Sequence, residues 1–109
     1  MAATKIVLTT AGSKEEARRI AHELVERRVA ACVNIAGPIE SVYRWKEKVE
    51  NADEWLLIVK TTAAMCSAAC ETIREIHSYE LPECIEIDIE RGSEAYLQWI
   101  AENVRPSQG

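Results

Sequence analysis

Val29-Ala-Ala-Cys-Val-Asn-Ile35, Ile39-Glu-Ser-Val-Tyr-Arg-Trp45 and Glu54-Trp-Leu-Leu-Ile-Val-Lys-Thr61 make residues 29–61 one long strand-like region with a return in it. Gly37-Pro38 predicts a bend or bulge within the outgoing arm, because proline donates no ladder hydrogen bond. Beyond it Ile39, Ser41, Tyr43 and Trp45 alternate onto one face. Lys46-Glu47 is the expected tight turn, without the Gly or Asn that primed turns prefer. On the return arm Trp55, Leu57 and Val59 point one way and Leu56 and Ile58 the other. Both faces of that arm are apolar, so something must cover both.

Outward from this hairpin the chain is organised in two similar halves. Lys5-Ile-Val-Leu-Thr-Thr10 reads as a central strand. Ser13-Lys-Glu-Glu16 then reads as a capping box, with Ser13 and Glu16 exchanging side-chain and backbone bonds. Ala17, Ile20, Ala21, Leu24 and Val25 follow at helical spacing. After the hairpin, Thr61 or Thr62 is the expected cap of a second helix, whose face is Met65, Ala68, Ala69, Thr72, Ile73 and Ile76. Cys84 to Glu90 alternates as a half-exposed strand, with Ile85, Ile87 and Ile89 expected inward and Glu86, Asp88 and Glu90 outward. Gly92-Ser93 opens a short C-terminal helix that Pro106 prevents from continuing. The order βαββαβ plus a helix predicts an α+β, ferredoxin-like fold, with residues 1–109 as one domain.

The 109 residues carry 48% apolar side chains, three Trp, three Tyr and no Phe. A chain this short has a thin stability margin unless it associates. Two helices cannot cover both faces of a sheet with so long a hairpin. Self-association through the sheet face and hairpin is therefore expected. Thirteen Lys and Arg against eighteen Asp and Glu give a net charge of −5. That balance argues against a nucleic-acid phosphate binder and a polybasic membrane anchor. No run approaches a bilayer span, and residues 1–10 lack signal-peptide character, which predicts a cytoplasmic protein. The four cysteines are too few for a disulfide scaffold and are expected as thiols there.

Five segments in order carry a resemblance: Ala30-Ala-Cys-Val-Asn-Ile35, Ser41-Val-Tyr-Arg-Trp45, Leu57-Ile-Val-Lys-Thr-Thr62, His77-Ser-Tyr-Glu80 with Pro82-Glu83, and Tyr96-Leu-Gln-Trp-Ile100. Together they resemble the CutA family of divalent-cation tolerance proteins, from about Lys5 to Asn103. The resemblance implies a ferredoxin-like homotrimer joined by its long hairpins, with a role in tolerance of copper and other divalent ions. Ser78 departs from a proline common in relatives, and Glu47 from a turn glycine. Where some members offer copper a Cys and a His-His pair, this chain has Thr9, Ile76 and His77.

His77 with Glu80 and Glu83 offers one imidazole and two carboxylates, a ligand set that suits Cu(II) or another divalent cation. The plainer reading of His77 is a helix C-cap. Tyr43, Trp45 and Trp55 are the expected oligomer-interface anchors, since Tyr and Trp dominate such contacts. They equally suit a cleft between subunits. No nucleophile and base are placed together by any motif, so no enzyme is expected. The leading expectation is a non-enzymatic, copper-type divalent metal binder. The alternative is a trimeric signalling module like the PII regulators, holding a small anionic ligand or a partner protein between subunits.

Overall fold

A computed structural model describes residues 3–106. Its elements are β1 (Thr4–Ala11), α1 (Lys14–Glu26), β2 (Cys32–Trp45), β3 (Lys48–Thr62), a 3-10 turn (Ala63–Met65), α2 (Cys66–Ile76), β4 (Ile85–Asp88) and α3 (Glu94–Glu102). The strands form one antiparallel sheet in the order β2-β3-β1-β4. This is the expected α+β arrangement: β3 lies between β1 and β2, and α1 crosses from one to the other.

The core lies between one sheet face and the first two helices. Val7, Leu57 and Val59 from the sheet meet Ala17, Ile20, Leu24, Ala69 and Ile73 from the helices, all buried. α1 starts where its sequence says: Ser13 Oγ accepts from Glu16 N–H at 3.1 Å. The reciprocal half of the capping box is replaced, because the Glu16 carboxylate accepts from Ser78 N–H at 2.8 Å. α1 ends with Arg28 at φ 59°, and Val29 and Ala30 both donate back to the Leu24 carbonyl. Thr62 makes no side-chain cap at the second helix. The Ala63 N–H is satisfied instead by the Ala3 carbonyl beside β1, at 2.9 Å, and a 3-10 turn leads into α2.

The hairpin has the predicted bulge and turn. Between Ala36, which faces Leu56, and Ile39, which faces Glu54, β2 holds one extra residue. That residue reverses the alternation, so Ile39, Ser41, Tyr43 and Trp45 leave the face that Val33 and Ile35 occupy. Gly37 is required at the bulge because a Cβ there would lie 2.6 Å from Trp55 Cδ1. At the tip Lys46 and Glu47 have φ of 50° and 68°, the paired left-handed geometry of a type I′ turn.

Two expectations are overturned. In β4 it is Glu86 that opposes Val7 on the helix-covered side, while Ile85 and Ile87 align with Leu8 and Ile6 on the other face. Ile85 and Ile87 remain 50% and 43% exposed. On the helix side Glu86 and Asp88 each reach Lys5 Nζ at 3.2 Å, so the carboxylates turn inward because a cation waits there. The cysteines are not all thiols: Cys70 of α2 and Cys84 before β4 form a disulfide, leaving Cys32 and Cys66 free. Burial, and then the Glu86 charge, push the Cys66 thiol up to about 11, so it stays protonated.

Trp55 also behaves differently from its hairpin neighbours. It alternates with Leu57 onto the helix side and packs against the core, with Gly37 beneath its ring. α3 lies on the opposite face, where Lys60 Nζ sits 5.6 Å from the Tyr96 ring centroid. The rest of that face and the hairpin tip stay open, with Val42 and Val49 each more than 60% exposed.

Candidate functional site

The open sheet face and the segment between α2 and β4 enclose a groove of about 680 Å³. β2 supplies Ile39, Ser41, Tyr43 and Trp45, the set that the bulge turned onto this face, and β1 and β3 supply Thr10, Leu56 and Glu54. The segment after α2 closes the remaining wall with Tyr79, Glu80, Leu81 and Glu83.

His77 holds that wall in place. Its Nε2 donates to the Thr10 carbonyl at 2.6 Å, and its Nδ1 accepts from the Tyr79 N–H at 3.0 Å. A carbonyl can only accept and an amide N–H can only donate, so the neutral Nε2–H tautomer is the one that fits. The imidazole is fully buried, and Glu16 Oε2 lies 3.7 Å from Nδ1. Burial pushes the Glu16 carboxyl up, but hydrogen bonds from Ser78 outweigh it and hold the group below its ordinary range.

The expected metal set of His77, Glu80 and Glu83 is therefore not assembled. Both ring nitrogens of His77 are spent on backbone groups, which leaves no lone pair for a cation. Among the described residues no group of three or more His, Cys, Asp or Glu side chains converges to hold a metal ion. Glu80 and Glu83 do share the groove wall, Glu80 exposed and Glu83 half-buried. Tyr43 and Trp45 line the same groove, while Trp55 is held within the subunit.

The residue that sequence reasoning passed over is Glu54. It opens the apolar Trp55–Val59 run, yet it is only 9% exposed and accepts from the Tyr79 hydroxyl at 2.7 Å. Burial raises the Tyr79 phenol well above its usual range, and the Glu54 hydrogen bond adds to that. Glu83 is raised too, by burial first and then by the Glu54 charge, so two carboxyls compete within one groove. No signal in the sequence singles it out, because its pairing opposite Ile39 exists only in the strand register that the bulge sets.

A sequence profile described as the CutA1 divalent ion tolerance protein matches residues 5–103. The chain belongs to the CutA1 family. It is 43% identical over 99 residues to the divalent-cation tolerance protein CutA of Thermus thermophilus, covering 91% of this chain and 96% of that one. It is 44% identical over 98 residues to the protein of the same name from Archaeoglobus fulgidus, covering 90% and 95%. The solved CutA1 of Oryza sativa superposes with a TM-score of 0.94 at 38% identity, over 97% of each chain. The chain spans only about half the length of the CutA proteins of Arabidopsis thaliana and Homo sapiens, at 55% and 51%. Relatives are described as chloroplastic in Arabidopsis and periplasmic in Archaeoglobus. CutA1 membership places this chain among divalent-cation tolerance proteins.

Proposed function

We propose that this CutA1-family chain serves divalent-cation tolerance as a non-enzymatic homotrimer that binds a copper-type dication. The exposed apolar surface carries this reading: Ile85, Ile87, Tyr43 and Trp45 on the open face, with Val42 and Val49 on the other side of the hairpin arm, are too exposed for a lone soluble subunit. Tyr43 and Trp45 anchor the neighbouring subunit. Glu80 and Glu83 are the dication's oxygen ligands, completed by groups from a second subunit. His77 acts as the strut that positions them. Two carboxylates are too few to fill the coordination sphere of such a dication, so the remaining positions need groups from a second subunit.

Calorimetric titration of the metal-free protein with Cu(II) and Zn(II) tests the assignment. The double change Glu80→Gln, Glu83→Gln weakens binding at least tenfold. Unchanged affinity and stoichiometry in that variant refute the ligand assignment.

Residence in the cytoplasm is part of this reading. Fractionation of the cells that make the chain tests it: recovery with cytoplasmic marker enzymes supports it, and recovery in another compartment refutes it.

A further inference from the structure

We propose that the end of the groove where Glu54 meets Tyr79, walled by Ile39, Leu56 and Tyr43, binds an organic cation, a primary ammonium or guanidinium group carried on an apolar body. This goes beyond the dication reading, which concerns the exposed lip at Glu80 and Glu83.

Glu54 is a charged side chain more than nine-tenths buried, yet no Lys, Arg or His among the described residues lies within ion-pair distance of it. Its one close polar partner is the neutral Tyr79 hydroxyl on Oε2. A buried carboxylate is normally paired, because leaving it without a counter-charge costs several kcal/mol (~3–5). Here the missing counter-charge faces a groove of about 680 Å³, within the size range of small-molecule sites. Glu83 stands close enough to feel the Glu54 charge, so an incoming cation relieves repulsion as well as satisfying Glu54.

The walls decide between a metal and an organic cation. Ile39, Leu56 and Leu81 offer no ligand atoms, whereas they are suited to covering methylene groups. Tyr43 and Tyr79 present aromatic rings, and ring faces attract ammonium and guanidinium groups. A hard dication wants six or more oxygens, and one Glu54 oxygen is already committed to Tyr79. An alkyl or aryl ammonium needs one or two carboxylates and an apolar wall, and the groove supplies both.

The test is calorimetry and thermal shift with benzylamine and agmatine, in EDTA to remove metals, against benzyl alcohol as the neutral match for benzylamine. Both amines bind and raise the melting temperature, benzyl alcohol does not, and Glu54→Gln lowers amine affinity at least tenfold. Where Glu54→Gln does not fold, Leu56→Ala on the groove floor must weaken benzylamine at least fivefold and agmatine less. Equal binding of amine and alcohol, no amine binding at millimolar concentration, or amine affinity unchanged in the variant that folds each overturns the proposal. So does loss of assembly in Glu54→Gln without amine binding to the parent, which assigns the carboxylate to a cationic side chain of a second copy. Copper titration of the same samples without EDTA reports separately on Glu80 and Glu83, so either site can fail alone.

Discussion

Glu16 joins its helix start to the segment after α2: its backbone N–H donates to Ser13 Oγ at 3.1 Å, and its carboxylate accepts from the Ser78 N–H at 2.8 Å beside the His77 ring at 3.7 Å. Its folded pKa lies below the ordinary 4.5, so the native state holds its proton less tightly than the unfolded chain does. The resulting stabilisation is complete above about pH 4.5 and is lost as pH falls through the lower folded value. Glu83 has the opposite sign: its raised folded pKa costs stability as pH rises through the window above 4.5. Denaturant melts of Glu16→Gln between pH 3 and 7 therefore show lower stability at pH 7 and a flatter acid limb. A variant with the parent's slope would remove Glu16 from this account. His77 was legible as a helix-ending residue, and α2 does end at Ile76. Its two backbone partners were not, because Thr10 and Tyr79 meet it only through the fold.

The hairpin is the element in which sequence and structure agree most closely, and the reason is periodicity. Alternation across Ile39 to Trp45 specifies a face, and Gly37-Pro38 interrupts a ladder at the position where the register shifts. Alternation does not say which face the helices cover, so β4 was read with its isoleucines inward when they lie on the open side. The Cys70–Cys84 pairing was illegible for a similar reason: 14 residues separate the two, and no spacing motif joins a helix to the approach of an edge strand. At the tip, Glu47 occupies a left-handed conformation that a side chain disfavours by roughly 1–2 kcal/mol. Its side chain makes no hydrogen bond or ion pair among the described residues; Arg44 binds only its carbonyl oxygen. Glu47→Gly is expected to raise unfolding free energy by about 1 kcal/mol in guanidinium melts. A loss of stability would contradict the turn assignment.

Across the whole molecule, α1 and α2 cover one sheet face, and α3 covers part of the other. The hairpin stretches the molecule to 45 Å against 26 and 23 Å in the other directions, a shape with much surface for its size. The surplus apolar content read from the sequence is found where a neighbour would meet it: Ile85 and Ile87 on the open face, and Val42, Tyr43, Trp45 and Val49 along the hairpin. The groove lies against the same surfaces, so assembly and ligand capture belong to one account. Its acidic end was hidden in the sequence, because Glu54 borders the most apolar run of the chain and gains its meaning only from Tyr79, which the His77 strut brings back across β1. Native mass spectrometry of the purified chain at micromolar concentration, with and without copper, tests the central claim. The account predicts a mass of three 12.2 kDa chains in both conditions, and a stable single chain would contradict it.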